Sequence, residues 1–112
     1  MLKYKNQLCY FKKKAIIYLN LKYLKYDVDC NVELFLNKRK VIIDFVVYKN
    51  KKPLIYFFVL KPQLDPYKKR TQIIRQKRKI EKLKPLISCS GFVYDEFVSF
   101  KDFLNNTLLQ VS

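Results

Sequence analysis

Residues 54–60, Leu-Ile-Tyr-Phe-Phe-Val-Leu, constrain the fold more than any other stretch of this 112-residue chain. The only polar group in the run is the Tyr56 hydroxyl. The run is far short of the roughly 20 residues that cross a bilayer, so it reads as a strand. A strand that is apolar on both faces must be covered on both faces, which places it centrally in a sheet with a layer above and below. Pro53 marks its start, and two prolines, Pro62 and Pro66, make residues 61–66 a loop.

The flanking sequence supplies the other strands. Residues 41–48 are rich in β-branched side chains. Regular alternation puts Val41, Ile43, Phe45 and Val47 on one face, and Ile42, Asp44, Val46 and Tyr48 on the other. Before them Val32, Leu34 and Leu36 alternate with Glu33 and Phe35, and residues 26–31 read as a loop. Short polar turns at 37–40 and 49–52 predict an antiparallel meander.

Helices account for much of the rest. Leu8, Phe11, Ala15, Tyr18 and Leu19 recur at helical spacing within residues 1–26, with Lys5, Lys12, Lys13 and Lys14 on the other side. Residues 67–84 form a second helix around Ile73, Ile74, Ile80 and Leu83, stopped by Pro85. A crossover of this length lets the next strand run parallel to the third. Residues 86–89 read as that strand, Ser90-Gly91 as a turn and residues 92–94 as a further extended piece. Ser99 with Asp102 resembles a capping box for a short last helix around Phe103, Leu104 and Leu108. The expectation is one α/β domain over 1–112, a mixed sheet of about four to five strands flanked by helices. Gly91 is the only glycine, so sharp turns must rest on Asn, Asp and Pro.

Charge points to partners. Lys and Arg number 24 against 9 Asp and Glu, a formal +15. Such a chain attracts polyanions, and DNA or RNA leads that class. Cys9, Cys30 and Cys89 form no C-x-x-C pair and no His is present, so no zinc site is expected and the thiols read as buried and reduced. No transmembrane segment and no secretory signal are expected. The Lys-, Asn-, Ile- and Tyr-rich coding suits an AT-rich genome, either a plastid-like organelle or the cytoplasm of a microbe.

The order helix, three strands, helix, extended pieces, helix carries a further signal. It includes Val32-Glu33, then Ile43-Asp44-Phe45-Val46-Val47-Tyr48, then Lys52-Pro53-Leu54-Ile55, and Lys61-Pro62. These stretches resemble the PD-(D/E)XK nuclease core, in particular the nuclease domain at the N-terminus of type I restriction enzyme R subunits and its small free-standing relatives. The resemblance implies a site in which Asp44 and a second carboxylate hold a hard cation, with a lysine two residues after that carboxylate. Phe58 and Leu60 stand at those second positions, and a one-residue slip puts Val59 and Lys61 there instead. Either way the second acid is missing. Glu33 is a remnant acid on the first strand. Gln72 matches part of a Gln-x-x-x-Tyr pair seen in some of these nucleases, but Gln76 stands where the Tyr would be.

The resulting expectation is a catalytically inactive, nuclease-like domain that binds nucleic acid without a metal or other cofactor. Lys68, Lys69, Arg70, Arg75, Lys77, Arg78, Lys79 and Lys82 on the second helix, and Lys12, Lys13 and Lys14 on the first, are the expected phosphate contacts. Asp44 is expected to pair with a nearby cation such as Lys40, and Phe58 and Leu60 to pack over the former site. Three alternatives stand beside this one. The first is a structural subunit held by protein partners in a large assembly such as a ribosome, polymerase or photosynthetic complex. The second is an active nuclease with a rearranged site. The third, a minor one, is membrane-surface binding through the first helix.

Overall fold

The structure is a computed structural model that describes residues 2–61, 65–95 and 98–111, with side chains within 12–110. The elements run α1 (Leu2–Tyr23), β1 (Asp27–Leu36), β2 (Arg39–Lys49), β3 (Lys52–Val59), α2 (Pro66–Leu83), β4 (Ser90–Tyr94) and α3 (Phe100–Val111). The sheet is four-stranded and mixed, in the order β1-β2-β3-β4. β1, β2 and β3 form the antiparallel meander, and α2 crosses over so that β4 lies parallel to β3.

The apolar run of β3 is buried on both faces. Ile55, Phe57 and Val59 pack with Ile17 and Leu21 of α1 and Phe103 and Leu104 of α3. Tyr56 and Phe58 pack on the opposite side with Leu83 and Ile80 of α2. Phe57 is the hub of the first layer, stacked on Phe45 and edge-on to Phe103. The sheet is thus a middle layer between α2 on one face and α1 with α3 on the other, which the two-sided hydrophobicity of β3 requires.

The turns rest on asparagine, as a glycine-poor chain must arrange. Asn37-Lys38 and Asn50-Lys51 are two-residue hairpin loops, and all four residues have positive φ, between 49° and 66°. Such mirror-image turns match the right-handed twist of the flanking strands. α2 starts on a built cap: Asp65 Oδ1 accepts the Tyr67 amide at 2.9 Å, with Pro66 at the first helical position.

Several expectations are corrected. Residues 27–31 belong to β1 rather than to a loop. Residues 86–89 are turn and bend rather than strand, so one strand, β4, replaces the two extended pieces. Gly91 lies within β4 and has no positive φ. It pairs with Tyr56, and a Cβ there would fall on the Tyr56 ring. The glycine is needed for close approach, not for a turn.

α1 is rotated from its expected orientation. Ile17 and Leu21 face the core, while Ala15 and Leu19 face outward and Tyr18 is about one-third exposed. Leu8, Phe11, Lys5 and Cys9 lie outside the described side chains. On α2, Leu83 is buried but Ile74 is 45 % exposed. Cys30 is exposed and Cys89 half-buried, so neither is the fully buried thiol expected.

The alternation of β2 does not run through the whole strand. Val41 and Ile43 pack on the α2 side, but Phe45 and Val47 pack on the α1 side. β1 changes phase at the same level: Val28 packs with the α1 layer, and Val32, Leu34 and Leu36 pack with the α2 layer. The pairs Cys30↔Phe45 and Val32↔Ile43 bracket the change, with Asn31 between them at φ 52°. A left-handed residue turns the strand about its own axis, and Asn tolerates that conformation better than other side chains. Both strands swap faces at the level of Asn31 and Asp44, and the left-handed residue lies on β1.

Candidate nucleic-acid interface

The phase change opens a fork between β2 and β3. Their ladder ends at Phe45↔Phe57. Just beyond it, Asp44 Oδ2 accepts the Val59 amide at 2.7 Å, and a side chain takes up the donor where ladder pairing has ended. The other carboxylate oxygen meets Lys14 Nζ at 3.0 Å, and the same ammonium donates to Asn31 Oδ1 at 2.8 Å. Lys14 lies three and seven residues before Ile17 and Leu21, so it shares their core-facing side of α1. The expected partner, Lys40, instead holds Glu33 at 2.8 Å on the surface. Glu33 is not part of the fork.

A cavity of about 470 Å³ lies in the fork, lined by Asp44, Phe58, Lys61, Arg75, Lys79, Gln72 and Gln76 among others. Phe58 is 2 % exposed and closes the cavity's inner wall without filling it, with Lys79 Nζ 5.8 Å from its ring centroid. Leu60 is buried away from the cavity. Of the residues at the expected positions, Phe58, Val59 and Lys61 share the cavity with Asp44, and Leu60 does not. Gln72 Oε1 accepts the Lys61 amide at 2.6 Å and ties the end of β3 to α2. Gln76 lines the same wall, and its Oε1 is buried without a hydrogen-bond partner.

Asp44 is the only acid lining the cavity among the described residues, and Lys14 is set against it. Among the described residues no three His, Cys, Asp or Glu side chains gather in a way that could hold a metal ion. The remaining polar lining is cationic or amide, a set that favours anions over cations, and Ile42, Phe58 and Val59 supply the apolar part.

A second cavity of about 400 Å³ adjoins it, lined by Arg39 and Lys40 of the first hairpin with Lys79 and Lys82 of α2. Lys79 lines both cavities. Lys68, Arg75, Lys79 and Lys82 recur at helical spacing along one flank of α2. The structure therefore joins residues far apart in sequence into one basic stripe: Lys61, Arg75, Lys79, Lys82, Arg39 and Lys40. Arg39 escapes a sequence reading because a lone basic residue beside a turn carries no signal.

Other expected contacts are placed elsewhere. Lys69 is half-buried and bonded to Asp95 at 2.9 Å, joining α2 to the end of β4. Arg70 and Lys77 are exposed on the opposite flank of α2, and Arg78 points away from the sheet. Lys14 is held by Asp44 and Asn31, whereas Lys12 and Lys13 lie on α1, across the sheet from α2. The expected phosphate contacts thus fall into separate groups rather than one surface.

The sequence matches no family model, no curated protein and no solved structure. No described helix is long and apolar enough to cross a membrane.

Proposed function

We propose that this chain is a noncatalytic nucleic-acid-binding domain on a PD-(D/E)XK-like scaffold, with the basic stripe along α2 as its contact surface. The observation that carries this reading is the pair of adjoining cavities that share Lys79 and gather cations from the segment after β3, from α2 and from the first hairpin. Such an array suits a run of backbone phosphates, and it gives strong salt dependence with little sequence readout. The scaffold is supported by the element order and by Asp44 at the divergence of β2 and β3. The noncatalytic reading rests on Asp44, whose carboxylate is already bonded by an ammonium and a backbone amide, with no second acid lining its cavity among the described residues.

Fluorescence anisotropy with labelled duplex DNA, single-stranded DNA and RNA across a salt series tests the proposal. The wild-type chain binds at low salt and weakens steeply as salt rises. Replacing Arg75, Lys79 and Lys82 together by Ala lowers the slope of log K against log salt by about 2–3. Replacing Arg70 and Lys77 changes it less. Equal loss from the two sets of substitutions would mean diffuse charge attraction rather than a surface. Cleavage that needs Mg²⁺ and disappears in Asp44→Ala would replace the noncatalytic reading with a nuclease.

A further inference from the structure

The exposed side of α1 carries a feature that the nucleic-acid surface does not use. Lys12, Ala15, Ile16, Leu19 and Tyr23 follow the spacing i, i+3, i+4, i+7 and i+11 and are all exposed, so one side of the helix presents them together. The exposures are large for apolar groups: Ile16 is 50 %, Leu19 64 % and Tyr23 86 % exposed. An apolar groove of about 440 Å³ continues this side toward the sheet, between Ala15, Tyr18 and Leu19 on the helix and Cys30 and Phe45 on the strands. A helix that is apolar both toward its core and away from it is built to be covered on both sides.

The charges around this face select what covers it. Residues 1–26 contain no acid. Lys12 lies within the apolar row, and Lys22 borders it, its Nζ 5.8 Å from the centre of the Tyr18 ring. A second copy of the chain would set these lysines against each other. A dry protein interface over the row would bury Lys12 at its end, and lysine is depleted from such interfaces because an unpaired buried charge is costly. A membrane surface has neither difficulty. Leu19, Ile16 and the tyrosine rings enter the acyl boundary, and the lysine stems reach back to lipid phosphates.

We infer that the outer face of α1 docks on an anionic lipid bilayer, lying along the surface without crossing it. α1 and α2 cover opposite faces of the sheet, so the basic stripe remains open while α1 is seated. The inference is independent of the nucleic-acid reading and would stand if that reading failed.

Co-sedimentation of the full chain with vesicles tests it, using pure phosphatidylcholine and an equal mixture of phosphatidylcholine and phosphatidylserine. The mixed vesicles bind the chain at least about tenfold better than the neutral ones. The double variant Ile16→Ser with Leu19→Ser lowers partitioning to mixed vesicles by about tenfold or more. Lys12→Glu lowers it as well. The Arg75, Lys79 and Lys82 triple Ala variant retains most of the binding. Circular dichroism shows unchanged helicity in each variant, since the replaced side chains are exposed. Three results overturn the inference: no binding to mixed vesicles; binding that ignores Leu19 and Ile16 and follows the α2 cations; or a self-associated chain that Leu19→Ser converts to monomer without any effect on lipid.

Discussion

Lys14 of α1 reaches across the α1-side layer to place its ammonium 3.0 Å from Asp44 Oδ1, in the fork of the sheet. The pair is well shielded, with side-chain exposures of 14 % and 10 %. Asp44 also satisfies the Val59 amide. Asp44→Ala leaves both an ammonium and an amide without this partner, and it destabilises the fold by about 3–5 kcal/mol. Asp44→Asn keeps an acceptor for Val59 and costs about 1–2 kcal/mol. Urea midpoints at constant slope measure both. A loss for Asp44→Ala below that of an exposed ion pair, about 1 kcal/mol, would show that the fork is held by something else.

Gly91 and Tyr56 form a second coupled pair. Gly91→Ala drives a methyl into the Tyr56 ring and destabilises by about 1–3 kcal/mol, although its backbone conformation suits any residue. The same substitution in a Tyr56→Ala background costs much less, because the obstruction is gone. A double-mutant cycle measures this coupling, and additive losses would contradict the contact.

Tyr56 also governs behaviour in alkali. It is 1 % exposed, and burial pushes its hydroxyl from the ordinary 10.0 up to about 12. Below pH 10 the hydroxyl is neutral in both the folded and unfolded chains. Above that the unfolded chain ionises first, so stability falls from pH 10 to about 12, by about 3 kcal/mol from this group. Tyr94 is raised in the same direction by its own burial and by Asp95. Chemical denaturation from pH 9 upward shows the fall, and Tyr56→Phe makes it shallower. An identical slope in Tyr56→Phe would assign the loss to other groups, Tyr94 among them.

The hairpins offer a gain in stability. Lys38 and Lys51 hold φ of 66° and 64°, a conformation in which a Cβ costs about 1–2 kcal/mol. Lys38→Gly and Lys51→Gly each stabilise by about 0.5–1 kcal/mol net of the added freedom of the unfolded chain. Thermal melts show the two gains adding, since the hairpins lie at opposite ends of β2. A loss at either site would mean that its turn is not of the mirror-image type.

Local chemistry by itself settled most of the fold. The two-sided apolar run made β3 central, short Asn-Lys turns made a meander, and the length before Pro85 made α2 a crossover that sets β4 parallel. These signals act between near neighbours, so they can be read along the chain. The outward face of α1 could not be read this way, because both sides of the helix are apolar and spacing alone cannot say which one meets the sheet. The phase change at Asn31 and Asp44 was equally hidden, since one left-handed residue leaves the hydrophobic pattern intact while reversing the side on which it falls. For the site, the sequence alone determined that Asp44 has no second carboxylate on β3. Only the tertiary structure decided that Lys14 neutralises it, that Phe58 and Lys61 share its cavity while Leu60 does not, and that Arg39 joins Arg75, Lys79 and Lys82 in one stripe. Those relations depend on which residues are brought together across strands and layers, and that follows from packing rather than from order along the chain.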